Sequence, residues 1–209
     1  MTQEERNEVS LEKIIGAAIR EFGAYGYQNS SLNRICRSGN ISKGRMYHYF
    51  ADKTQLFFTC SKKVLTELIE YMERYQPEPT ATLEQNLHDF FHRRQQFFYE
   101  NPYYAAIVLS VQPQSNPPAD ESGALEALLK RSSDCNAAII QNILQLYPFE
   151  KSVDPDIIHE TILIASYYVQ VRYGFPYWNP ESPSPKLMED NINRFDKLIH
   201  IICHGIFRA

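Results

Sequence analysis

The stretch SGNISKGRMYHYFADK, residues 38–53, gathers Lys43, Arg45, His48 and Lys53 against a single acid, Asp52, with Tyr47 and Tyr49 flanking the histidine. These groups suit recognition rather than bond-breaking. An arginine offers paired N–H donors that match O6 and N7 of guanine. Lys43 and Lys53 neutralise phosphates. Gly44 lets the backbone come close to a sugar–phosphate wall, and Tyr47 and His48 bond phosphate or base edges. Helical spacing sorts the stretch into an apolar side (Ile41, Met46, Phe50) and a polar side (Lys43, Gly44, Arg45, Tyr47, His48). The expected partner is double-stranded DNA, read by a short helix in its major groove.

The whole chain is acidic, with a net charge of −4 over 209 residues, so its balance does not by itself point to nucleic acid. The charge is unevenly spread, however. From Phe22 to Ala51 there are four basic residues and no acid. A small basic head on an acidic body is the reading. Hydrophobic content of 44% is enough for a proper core. The four cysteines are scattered and form no C-x-x-C pair, as in a reduced chain. The N-terminal MTQEERNEVS is polar, and no apolar run is long enough to span a bilayer. A cytoplasmic protein with no membrane partner is expected.

The elements that must position the basic stretch are helical throughout. Ile14, Ala18 and Phe22 form a core stripe on a first helix of about residues 9–24, ended by Gly26. A short helix follows from Ser31 to Ser38, with Ser31 as N-cap and Leu32, Ile35 and Cys36 buried. Gly39-Asn40 turns the chain, Asn40 taking positive φ. Ser42 caps the next helix, where Ile41 and Met46 make a hydrophobic staple. Asp52 and Gln55 form a capping box for a long helix to about Tyr75. Helices are expected at about 81–100, 102–111, 121–147, 155–174 and 185–207, with linkers QPEP (76–79), QPQSNPP (112–118) and FPYWNPESPSP (175–185). The fold class is all-α: an N-terminal three-helix, homeodomain-like helix-turn-helix domain (1–52) joined by the long helix to a larger helical bundle (53–209), about nine helices in total.

Three segments carry a resemblance to a known family. I-I-G-A-A-I-R-E-F-G-A-Y-G-Y, S-S-L-N-R-I-C and I-S-K-G-R-M-Y-H-Y-F-A-D-K-T-Q-L resemble the DNA-binding domain of the TetR family of bacterial repressors. The resemblance covers residues 11–57. It implies a ligand-binding and dimerisation domain in the remainder, and it places Ser31 and Asn33 on the DNA side of the preceding helix. Two positions depart from the family pattern. Asn40 stands where Gly is usual. Arg34 stands where an acid commonly completes a capping box with Ser31, a loss of about 0.3–1 kcal/mol. Either Arg34 gains a phosphate or base contact, or it is a tolerated surface change.

In the body, aromatic residues crowd positions 90–104 and 167–178. They either fill a core or line the small-molecule site that the resemblance implies. The candidates for an aromatic or lipophilic effector are Phe91, Phe98, Tyr104, Tyr168 and Arg172. Ile192, Phe195, Ile199, Ile202 and Ile206 form a stripe on the last helix, and Ile157, Ile164 and Val171 one on the helix before it. Two wide-faced helices per chain build a four-helix interface in a homodimer, and a dimer sets two recognition helices about 34 Å apart.

Other patterns count for less. The pairs His88/His92 and His200/His204 are each H-x-x-x-H, which puts two rings on one helix face, but they read as solvated or hydrogen-bonded histidines. No metal site and no cofactor is expected. With no G-x-S-x-G, P-loop or G-x-G-x-x-G, no catalytic residue is assigned. The reading is a ligand-responsive, homodimeric transcriptional regulator, most simply a repressor that leaves its operator when a small molecule binds. The alternatives are an activator or ligand-independent binder of the same fold, and a helical ligand-binding or interaction protein without DNA binding.

Overall fold

The computed structural model describes residues 3–111, 123–148, 154–174 and 177–204, all helix, turn and loop. The helices are α1 (Gln3–Asn29), α2 (Leu32–Ser38), α3 (Lys43–Tyr49), α4 (Lys53–Glu73), α5 (Leu83–Glu100), α6 (Tyr104–Ser110), α7 (Ala124–Leu144), α8 (Pro155–Val169) and α9 (Pro185–His204). The linker at 112–118 lies outside the described residues. No helix among the described residues is long and apolar enough to cross a membrane.

The chain forms two compact units: residues 1–67 with 101–129, and 68–100 with 130–209. The first change of unit falls between residues 67 and 68. The division cuts α4, and α6 joins the N-terminal unit, where it lies along α1.

In the first unit, α1 starts earlier than its apolar stripe suggests. It breaks where expected, at Gly26 (φ 70°, ψ 169°), a left-handed conformation that costs glycine little. Ile14, Ala18 and Phe22 are buried with Ile35, Met46, Leu56 and Phe57. Between α2 and α3, Asn40 takes φ 48° and carries the left-handed turn. Gly39 has ordinary φ, and the need there is for space. A Cβ would lie 2.4 Å from Ile41 Cδ1 and 2.9 Å from the Ala17 methyl, so no side chain fits. Ile41 and Met46 are both buried, as the staple requires. Asp52 accepts the Gln55 N–H (2.8 Å), and Gln55 Oε1 accepts the Ala51 N–H (2.7 Å), closing the start of α4.

In the second unit, Phe90, Phe91 and Phe98 of α5 are buried with Ile192, Phe195 and Ile199 of α9. Phe91 stacks on Phe195 at 4.2 Å between ring centres. Buried Asn86 ties down the QPEP loop. Its amide donates to the Glu78 carbonyl (2.9 Å) and to Tyr147 Oη (2.6 Å), and its Oδ1 accepts the Glu78 N–H (2.8 Å). Tyr75 donates to the Asn86 carbonyl, and burial pushes that phenol up to about 12. The helix expected to run from 155 to 174 changes character at its end, where Gln170–Gly174 form a π turn.

Candidate DNA-binding site

Helix α3 is short and amphipathic. Ser42 accepts the Arg45 N–H (3.2 Å) and begins the helix, and Met46 anchors it from below. Lys43, Gly44, Arg45, Tyr47 and His48 are all exposed, Tyr47 at 57%. An exposed tyrosine between cationic groups has no packing role here. Tyr49 turns back instead, its hydroxyl donating to the Asn7 carbonyl (3.2 Å) and its ring meeting His48 edge-on. The outward face of α3 is therefore cationic and aromatic, and it holds no acid.

Helix α2 presents exposed Asn33 and Arg34 beside it. Ser31 stands at the N-cap position, but its hydroxyl makes no capping bond. The capping is done by Glu21 of α1. Its Oε1 accepts the Ser31 backbone N–H (2.8 Å), the bond that an acid three residues into the helix would otherwise make. The same oxygen takes Arg34 Nε (2.7 Å) and pairs with Nη2 (2.7 Å). Arg34 Nη2 also donates to the Asn29 carbonyl, and the guanidinium lies over the Tyr25 ring at 4.7 Å. Glu21 is only 6% exposed, whereas the Arg34 side chain is 45% exposed. The departure at position 34 thus has a structural account: the capping acid sits on the neighbouring helix, and Arg34 is its counter-ion. The sequence signal was an acid on the core stripe, one position before Phe22.

Lys53 is also occupied. Its ammonium donates to the carbonyls of Tyr27 (2.9 Å), Ser30 (3.3 Å) and Gln28 (3.5 Å) and lies over the Tyr27 ring at 4.5 Å. Tyr27 and Thr54 join the same bracket through their hydroxyls, 2.8 Å apart. The lysine expected to hold a phosphate is thus engaged by carbonyls at and just after the end of α1.

The five effector candidates fall in different settings. Phe91 and Phe98 are core, and Tyr104 belongs to the other compact unit, where its hydroxyl donates to Glu67 (2.6 Å). Tyr168 and Arg172 are exposed around Tyr173 on the surface. Phe90, Phe91, Phe97 and Phe98 are buried in the core, with Phe91 stacked on Phe195. Among the described residues of the second unit, open space lies along α5 and α9, as a cleft of about 1040 Å³ including Glu84, His88, Asp196 and His200, and a smaller one of about 380 Å³. Sequence reasoning missed Arg94 on α5. Its Nε is buried without a hydrogen-bond partner among the described residues, and burial holds the guanidinium down at about 10.

The two proposed pairing stripes fare differently. Ile157 and Ile164 on α8 are 61% and 67% exposed, and Val171 is half-buried. Ile192, Phe195 and Ile199 are instead buried in the chain's own core, because that side of α9 packs on α5. They are corrected from partner-facing to structural. Ile202 is half-buried, and exposed Ile201 is the apolar residue beside it. Ile206 lies outside the described residues.

Comparison with known proteins follows the same division. Residues 14–60 match the profile described as bacterial regulatory proteins, tetR family. The chain is 29% identical over 90 residues to the HTH-type transcriptional regulator AcrR of Shigella flexneri, covering 41% of each. It is 37% identical over 46 residues to a probable acrEF/envCD operon repressor of Escherichia coli K12, covering 22% of this chain and 21% of that one. The matched part is thus less than half the length of these relatives. Across the fold, the TetR-family regulator PfmR from Thermus thermophilus aligns over 93% of this chain and 99% of its own at 19% identity, with a TM-score of 0.62. FadR from Bacillus subtilis, solved in complex with stearoyl-CoA, aligns over 94% and 99% at 15% identity, with a TM-score of 0.63.

Proposed function

We propose, from the match of residues 14–60 to the profile of bacterial regulatory proteins of the tetR family, that the protein is a homodimeric, sequence-specific DNA-binding transcriptional repressor. The observation that carries the reading is the outward face of α3. Lys43, Gly44, Arg45, Tyr47 and His48 stand exposed on a helix fixed from beneath by Met46, with no acid among them. Arg45 and His48 read base edges, while Lys43 and Tyr47 hold phosphates. Asn33 and Ser31 flank the groove. Arg34 adds positive potential from its place on Glu21, and Lys53 serves by fixing the start of α4.

Exposed Ile157 and Ile164 support the dimer, since large aliphatic side chains at such exposure are covered in a stable assembly. Two copies are also what a palindromic operator requires. The effector is a small molecule taken up by the second unit. Arg94 offers the charge complement to an acidic group on an otherwise lipophilic ligand, because a desolvated guanidinium with an unmade hydrogen bond gains most from an anion. Induction requires the ligand to favour the DNA-free state. The function needs no catalytic step and places the protein with the DNA, in the cytoplasm.

A gel-shift titration against the DNA flanking its own gene tests the reading. Saturable binding that survives excess unrelated DNA is expected, and the bound fragment gives the operator. Binding no tighter than to random DNA would favour the second reading, a helical ligand-binding protein of this fold.

A further inference from the structure

The last turns of α9 carry His200 and His204, which at four residues apart share one helix face. The structure adds a third donor from another helix. Glu84 in the first turn of α5 brings Oε1 to 3.0 Å from His200 Nδ1 and 3.3 Å from His204 Nε2. One ligand atom from each of the three residues lies within 4.8 Å of the others, and no other such group of three occurs among the described residues. The imidazole rings are 4.5 Å apart and tilted by 45°, so neither blocks the other.

We propose that Glu84, His200 and His204 form a binding site for a borderline divalent transition metal of the Zn²⁺ class. The geometry is that of a chelate. Ligands about 2.05 Å from a tetrahedral ion stand about 3.3 Å from one another. The two Glu84–histidine separations are close to this spacing, and the two histidine ligand atoms lie within 4.8 Å of each other. The Glu84 oxygen and the two imidazole nitrogens are all groups that ligate a transition metal. A cation between them satisfies all three groups at once. Two imidazoles and one carboxylate select Zn²⁺, Ni²⁺ or Co²⁺ over Mg²⁺ and Ca²⁺, which take oxygen ligands. A fourth position is left for water or for a donor from the adjoining cleft, where Asp89 and Asp196 lie. Bound metal ties α5 to the end of α9. The site is independent of the DNA-binding reading and stands whether or not the head binds an operator.

The test uses the full chain, stripped with chelator and titrated with Zn²⁺ against a chromophoric competitor, and with Co²⁺ followed by its visible d–d absorption. One ion per chain is expected, with a rise in melting temperature and no response to Mg²⁺ or Ca²⁺. His200→Ala and His204→Ala should each weaken binding by at least about tenfold, and the double variant should abolish the Co²⁺ spectrum. His92→Ala, an exposed histidine elsewhere on α5, should leave it unchanged. In the unmodified protein, Zn²⁺ should shield His200 and His204 from carbethoxylation, a readout that needs no variant. One-to-one binding that persists in the double variant, no shielding of these two histidines, or no binding below millimolar Zn²⁺ overturns the proposal.

Discussion

Exchanging the partners of the α2 cap separates folding from recognition. In the parent, Glu21 caps the Ser31 N–H and neutralises Arg34 from a buried position. Arg34→Glu alone sets a second carboxylate against Glu21 and leaves a buried charge unpaired. A fully buried broken pair costs about 3–5 kcal/mol. Half of this pair is solvated, which puts the loss near 3 kcal/mol, or a fall of about 6–12 °C in melting temperature. Glu21→Gln keeps an acceptor for Ser31 but loses the ion pair, at about 1 kcal/mol. The double variant Glu21→Gln/Arg34→Glu rebuilds the local capping box, because the carboxylate introduced at position 34 now reaches the Ser31 N–H within its own helix. Its stability should return to within about 1 kcal/mol of the parent, a coupling of about 3–4 kcal/mol between positions 21 and 34. Its DNA affinity should not return. A cation on the recognition surface has become an anion, so operator binding at low salt should fall at least about tenfold, and raising the salt should narrow the gap. Thermal melts give the first quantity, and fluorescence anisotropy on the operator fragment gives the second. If the two substitutions add within about 0.5 kcal/mol, Glu21 is not the capping acid. If the stable double variant binds as tightly as the parent, position 34 lies away from the phosphates.

The other variants divide anchoring from reading and packing from pairing. Lys43→Ala should weaken binding to all sequences alike and reduce the salt dependence by about one unit, whereas Arg45→Ala should lose about 1–3 kcal/mol of discrimination at one base pair; anisotropy on single-substituted operators distinguishes them. Lys53→Met should leave the salt slope unchanged and lower stability by about 1–3 kcal/mol, because the bonds from its ammonium to the carbonyls of Tyr27, Gln28 and Ser30 are lost. Gly39→Ala drives a methyl into Ile41 and Ala17, and should cost about 1–3 kcal/mol in a urea melt. Ile164→Asp should yield a folded monomer by sedimentation and lose operator affinity; an unchanged dimer would move the pairing surface off α8.

The head was legible because its signals are local. Staple, caps and turn each lie within a few residues, and Ile41, Met46, Ser42, Asn40 and Asp52 do what short-range chemistry assigns them. The errors concern residues whose partners come from distant sequence. Lys53 reads as a free cation until the end of α1, some twenty-five residues earlier, supplies its carbonyls. Glu84 reads as an ordinary first-turn acid until α9 brings two histidines to it across more than a hundred positions. On α9, periodicity located an apolar stripe but not what covers it. Ile192 and Ile199 satisfy a 3.6 repeat equally well facing α5 or facing a partner, and only the packing decides. The aromatic clusters have the same ambiguity, since rings that fill a core and rings that line a cavity obey one composition rule.

The placement of the capping acid follows from what the surface has to do. A helix start gains from a nearby carboxylate, which bonds its free N–H groups and complements its dipole. At position 34 that carboxylate would stand on a side chain 45% exposed, beside the cationic face of α3. The chain keeps the cap and removes the anion from view. Glu21 is the last acid before the run from Phe22 to Ala51 that has none, and it reaches Ser31 from beneath while shielded by the core. Its negative charge is then spent on Arg34, which fixes the guanidinium's stem and leaves its outer edge in solvent. A buried acid with an exposed basic partner gives the helix the stabilisation of an anion and gives the surface the field of a cation. The acid-free run and the buried acid go together in this chain: the carboxylate that the start of α2 needs is supplied from α1, where the core shields it.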